Sequence, residues 1–168
     1  MMDVSPQQRC SQPEVRNDPS VRAFPCSRTR EFPVALYGMT NQPLLPRLAG
    51  IFDEARDAYG LAKPVIVGFS NGANIAAAVL QLRPQALAGA ALIRAMVPLQ
   101  EAPAADLSGK PVLIISGASD PIVPADNAKR LAGLLRGAGA TVQHHVLPTG
   151  HGLSQTDVAL TKAWIEQL

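Results

Sequence analysis

The chain is poor in cysteine: Cys10 and Cys26 are the only two in 168 residues, and both fall in a stretch without core-like pattern. That excludes a disulfide framework and offers no cysteine cluster to a metal, so neither residue is expected to carry a role. Nor is there an excess of charge of one sign. Fifteen basic side chains stand against thirteen acidic ones, which leaves no basic footprint for a nucleic acid or an anionic membrane surface. No run approaches the length of a membrane span, and the early arginines are not followed by the apolar stretch of a signal peptide. A cytoplasmic protein is therefore the default expectation. What the chain does have is apolar material, 47% of its residues, in a length that suits one packed domain rather than two.

Residues 1 to 32 carry Pro6, Pro13, Pro19 and Pro25 among arginines and serines, with no apolar period of 2 or 3.6. They are expected to be irregular or disordered, and residues 33 to 168 to form the domain. From Pro33 the texture changes. Val34 to Tyr37 make a short apolar run stopped by Gly38, as a buried strand would. Leu44, Leu45, Leu48, Ile51, Phe52, Ala55 and Tyr59 then recur at three- and four-residue steps, an amphipathic helix ending at Gly60. Beyond it, the strand-like runs Val65 to Val67, Ala88 to Ile93, Val112 to Ile115 and Thr141 to Leu147 alternate with helical patterns. The helices are expected at Asn71 to Arg83, Ala125 to Arg136 and Ser154 to Gln167. Ser154 and Asp157 have the spacing of a capping box at the start of the last helix. Apolar strands separated by helix-length connections imply an α/β fold, its parallel sheet covered on both faces.

Gly68-Phe69-Ser70-Asn71-Gly72 has the form G-x-S-x-G and lies between an apolar strand and an alanine-rich helix. A strand-to-helix turn this tight strains the serine and exposes its Oγ above the sheet, and glycine admits backbone that a side chain would block. The first turn of the helix leaves N–H groups without intrahelical partners, so the amide of Asn71 can face a developing oxyanion. A plain Gly-Ser linker is the alternative. It weakens once the partners that a serine nucleophile needs are found downstream.

Those partners are a base to take the hydroxyl proton and an acid to orient the base. Asp120 follows the strand Val112 to Ile115, in Ser116-Gly117-Ala118-Ser119-Asp120-Pro121, and His151 follows the next strand in Thr149-Gly150-His151-Gly152. Both turns fall on one edge of the sheet, and the chain order Ser, Asp, His is that of α/β-hydrolases. Taken singly, Asp120 could organise a turn before Pro121 and His151 could be an exposed loop histidine. Together they are read as acid and base. Asp126 is the fallback acid, although acidic residues are favoured at a helix start for dipole reasons alone. His144 and His145 are neighbours in a strand, point to opposite faces, and are expected at the strand surface rather than on a metal. No metal site is expected. Ala76, Ala77, Met96, Leu99 and Leu153 could line a modest apolar pocket or belong to the core.

Four stretches, GFSNGANIAAAVL from Gly68, LAGAALIRAMVPL from Leu87, GKPVLIISGASDPIVP from Gly109 and TGHGLSQTDV from Thr149, carry a likeness. The chain resembles the small lidless bacterial carboxylesterases of the α/β-hydrolase superfamily, related to phospholipase/carboxylesterases and dienelactone hydrolases. The resemblance implies a three-layer α/β-hydrolase core with a mainly parallel sheet, incomplete at its N-terminal side. It gives the roles of nucleophile, acid and base to Ser70, Asp120 and His151. It sets Arg94 to Pro98 in the pocket wall and makes Phe69, Arg94, Met96 and Leu153 the expected substrate contacts. The implied reaction is hydrolysis of small-molecule carboxylic esters or thioesters through an acyl-enzyme, without metal or organic cofactor.

Members of this family carry an HG-rich loop after an early strand, which supplies a second oxyanion N–H, and no such motif occurs here. Tyr37-Gly38-Met39-Thr40 is the nearest substitute, with the amide of Met39 as the donor. At most five strands can be counted, so the expectation is that residues 1 to 32 stand where the first strands would be. The nucleophile strand would then lie near an edge, where its apolar face invites a second copy and a homodimer. An impaired or non-catalytic member that only binds a small molecule is the competing reading.

Overall fold

The computed structural model describes residues 44–99, 101 and 104–168. The expected N-terminal segment, the strand Val34 to Tyr37, Met39 and both cysteines lie outside the described residues.

The pattern of apolar residues at helical spacing becomes α1, Leu44–Tyr59. The alternation beyond it gives β1 (Val65–Phe69), α2 (Asn71–Leu82), a single 3₁₀ turn at Pro84–Ala86, β2 (Gly89–Ile93), β3 (Pro111–Gly117), α3 (Ala125–Gly137), β4 (Thr141–Leu147) and α4 (Gln155–Ile165). Two strands exceed their expected spans: β1 runs on to Phe69, and β3 starts at Pro111 and ends at Gly117. In both, residues that look like turn formers in sequence, Gly68 and Ser116-Gly117, continue the ladder to a neighbouring strand.

The strands form one sheet in the order β1-β2-β3-β4, every pair parallel. Helices cover both faces, as the buried central strands β2 and β3 require. On one face Ile66, Ala90, Leu92, Val112 and Ile114 pack with α2, α3 and Phe52 of α1. On the other, Ala91, Ile93, Leu113 and Ile115 pack around Trp164 of α4, with Leu160 beside it. Alanine suits α2 for a packing reason. Ala73, Ala76 and Ala77 are fully buried, and side chains this short let the helix axis approach the sheet closely.

Among the described residues β1 pairs only with β2, so the strand that leads to Ser70 forms an edge of the four-stranded sheet, with Val67 49% exposed. All four strands run the same way. The segments that follow them therefore gather at one edge, the usual place for a site in a parallel α/β sheet.

Candidate active site

Ser70 sits between β1 and α2 with φ 53° and ψ −117°, backbone that side chains rarely adopt. What holds it there is local. Its N–H donates to the carbonyl of Ile93 at 2.8 Å and its carbonyl accepts from Asn74 N–H at 3.0 Å. Gly68 is needed because a Cβ there would lie 2.6 Å from the Ala73 nitrogen and from the carbonyl of Gly72. Gly72 differs from expectation: a Cβ on it would meet nothing within 4 Å, so only the first glycine of the motif is demanded by space.

The geometry joins the three sequence candidates. His151 Nε2 lies 2.8 Å from Ser70 Oγ, and its Nδ1 lies 2.8 Å from Asp120 Oδ2. The tautomer that satisfies both has its hydrogen on Nδ1, donated to the carboxylate, and accepts the serine hydroxyl proton at Nε2. Asp120 is held from the other side, where Oδ1 accepts the N–H groups of Ile122 at 2.8 Å and Val123 at 3.0 Å. Burial pushes its carboxyl up, but those two amides and His151 together outweigh it and hold the pKa below the ordinary 3.8. The Asp120 side chain has no solvent exposure and that of His151 has 19%, so the carboxylate is shielded while the imidazole can be reached. The ring of Phe69 packs at 5.3 Å from the His151 ring, tilted by 45°.

The other candidates separate. Asn71 opens α2 and is exposed. Met96 is half-buried and its N–H donates to Asn74 Oδ1 at 2.9 Å, while Val97 N–H donates to Asn127 Oδ1 at 2.7 Å. These two asparagines, which sequence reasoning missed, shape the segment after β2. Leu153 is 55% exposed beside His151, whereas Ala76, Ala77 and Leu99 are core. Asp126 stays in the first turn of α3, and His151 pairs with Asp120 instead. His144 is not free strand surface. It is half-buried, its Nε2 2.8 Å from Ser116 Oγ. Burial, then the nearby Arg136 and His145, hold its pKa below 6.5.

Arg94 corrects the pocket-wall expectation. It is fully buried, and its guanidinium is taken up by the chain's own acceptors. Nε donates to Gly150 O at 2.9 Å. Nη1 donates to Asp157 Oδ1 at 2.9 Å and Ile115 O at 3.3 Å. Nη2 donates to Thr149 Oγ1 at 2.9 Å, Asp157 Oδ2 at 3.1 Å and Gly152 O at 3.3 Å. All five of its N–H groups are thus engaged, and none remains for a ligand. Asp157 also closes the expected capping box with Ser154. Burial raises its carboxyl, but Ser154 and Arg94 together bring it below 3.8. Among the described residues no group of three or more His, Cys, Asp or Glu could hold a metal ion, and no helix is long and apolar enough to cross a membrane.

The chain is similar to several known proteins. Residues 48–163 match the model of the dienelactone hydrolase family. A Bacillus subtilis protein, MhqD, whose name calls it a hydrolase, is 33% identical over 122 residues, 71% of this chain and 61% of its own length. The crystal structure of a Bacillus cereus carboxylesterase superposes with a TM-score of 0.70 at 38% identity, covering 73% of this chain and 59% of that one. A carboxylesterase from Mesorhizobium loti does so with a TM-score of 0.69 at 33% identity, over 74% of this chain and 60% of its own. The chain thus spans about three fifths of the length of these relatives.

Proposed function

The chain belongs to the dienelactone hydrolase family, and we propose that it hydrolyses small carboxylic esters, and thioesters by the same chemistry, through an acyl-enzyme on Ser70. The observation that carries this reading is the unbroken chain from Asp120 Oδ2 through His151 to Ser70 Oγ, 2.8 Å at each link.

In this reaction His151 Nε2 takes the Ser70 proton as Oγ attacks the ester carbonyl. Asp120, kept ionised, fixes the tautomer and stabilises the imidazolium that forms. The tetrahedral oxyanion is met by the backbone N–H of Asn71 at the start of α2, where helix geometry leaves it without an intrahelical partner. His151 then returns the proton to the leaving alcohol or thiol. A water activated by the same imidazole releases the acid and restores Ser70. No step calls for a metal or an organic cofactor. Met39, outside the described residues, is the candidate we propose for the second oxyanion N–H; an enzyme that lacked this donor would be slower by about 10²- to 10³-fold. Phe69, Met96 and Leu153 are the proposed substrate contacts, with Arg94 now behind them rather than among them.

The test is release of p-nitrophenolate from the acetate and butyrate esters by purified protein, beside a Ser70→Ala control, with fluorophosphonate labelling in parallel. Turnover and a Ser70 adduct, both lost in the control, are expected. Folded protein with neither would sink the proposal and leave the non-catalytic binder.

A further inference from the structure

Two non-glycine residues among those described have positive φ, Ser70 at 53° and Arg94 at 57°. Strained backbone persists only where its surroundings hold it, and it concentrates at functional sites. The strain at Ser70 belongs to the nucleophile. Arg94 touches no reacting atom, yet it stands immediately after Ile93, whose carbonyl receives the Ser70 N–H, and its own N–H is tied to Ile115 O at 2.8 Å. From that fixed point its guanidinium reaches the three residues that bracket the base, Thr149, Gly150 and Gly152.

We infer that Arg94 is a positioning residue that sets His151 against Ser70, with Asp157 as the brace that orients its guanidinium. This rests on the serine-hydrolase reading of the site. The end of β2 thereby becomes a common anchor: Ile93 holds the nucleophile by its backbone, and Arg94 holds the base loop on both sides of His151. Asp157 grips the guanidinium edge with both carboxylate oxygens and is itself fixed at the start of α4 by Ser154. A planar fork with five donors can serve these acceptors at once, and a lysine ammonium cannot. The loop is also confined from β3, where a Cβ on Gly117 would lie 2.5 Å from Thr149 O and 2.6 Å from Gly150 O. Contact with Gly117 limits how near the loop comes; Arg94 draws it in.

The decisive variants are Arg94→Lys, which keeps the charge opposite Asp157, and Thr149→Val, which removes a single acceptor in case the lysine variant fails to fold. Two readouts separate positioning from general stability. The first is the downfield NMR resonance of the proton between His151 Nδ1 and Asp120, which reports the base without turnover. The second is the kcat and KM split on p-nitrophenyl butyrate. In folded Arg94→Lys the resonance is expected to broaden or vanish, and kcat to fall by roughly 10²-fold with KM little changed, the scale of loss for a misplacement of about 1 Å. Thr149→Val should move both in the same direction by less. The inference is overturned if either variant, folded, keeps the wild-type resonance and the wild-type kcat. Should the wild type hydrolyse no ester, the esterase reading fails on that result, and the resonance alone judges the role of Arg94 by the same criterion.

Discussion

Ser70 combines two requirements that oppose each other, since the hydroxyl needs a side chain at a backbone position suited to glycine. Non-glycine residues in such regions carry about 1–3 kcal/mol of strain. Ser70→Gly should therefore raise stability by about 1 kcal/mol after the extra chain entropy of glycine is deducted, while abolishing fluorophosphonate labelling. Urea denaturation beside the wild type reads this, and a variant less stable than wild type would show that the elbow is relaxed. Asp120 makes a different demand. Its amide counterpart would still occupy the space but could hold His151 in the wrong tautomer, so Asp120→Asn should lower kcat by about 10⁴-fold, the order seen for the same exchange in a serine protease. A loss below tenfold would indicate that another group orients the base.

The turn from β1 into α2 yields a prediction of its own, because the two glycines of G-x-S-x-G meet different surroundings. Gly68→Ala places a methyl group 2.6 Å from backbone atoms, and overpacking of this kind costs about 1–3 kcal/mol and shifts the elbow. Gly72→Ala meets open space in the first turn of a helix, where alanine is favoured over glycine by up to about 1 kcal/mol. Thermal melting with labelling of Ser70 should show the first variant destabilised and poorly labelled, and the second at least as stable as wild type. Equal losses would contradict the steric account. Periodicity alone revealed α1 and α3 to within a residue, because each has apolar positions at a spacing that only a helix satisfies. Ser70, Asp120 and His151 were legible for a related reason: parallel strands put the turns after them at one edge. The Arg94–Asp157 pair was not, since an arginine within AALIRAMVPL has its partner 63 residues away, and nothing local marks the contact. The pairing of His144 with Ser116 was hidden in the same way, by a strand register that exists only in the folded sheet.

At the scale of the molecule, these buried polar links make stability depend on acid in two stages. A group whose pKa is lower folded than unfolded contributes stability above its unfolded value and loses it as pH falls through the folded one. His144 is lowered from 6.5, and Asp120 and Asp157 from 3.8. The first loss should therefore begin below about pH 6.5, as His144 must charge beside Ser116 and Arg136, and the second below 3.8, as the two carboxylates are forced to accept protons. Urea midpoints measured from pH 8 to pH 3 should follow this course. His144→Gln can keep an acceptor for the Ser116 hydroxyl without titrating, so it should flatten the upper stage and leave the lower one. Asp157→Asn should leave the upper stage and reduce the lower one, where Asp120 still titrates, at a general cost of about 3–5 kcal/mol, because it leaves the Arg94 charge buried and unpaired. The two effects act on opposite faces of β3, one through Ser116 and the other through the base loop, so in the double variant the changes should add to within about 0.5 kcal/mol. A marked departure from additivity would mean that β3 transmits strain between its faces, and that the sheet edge carrying Ser70, Asp120 and His151 responds to protonation as one unit.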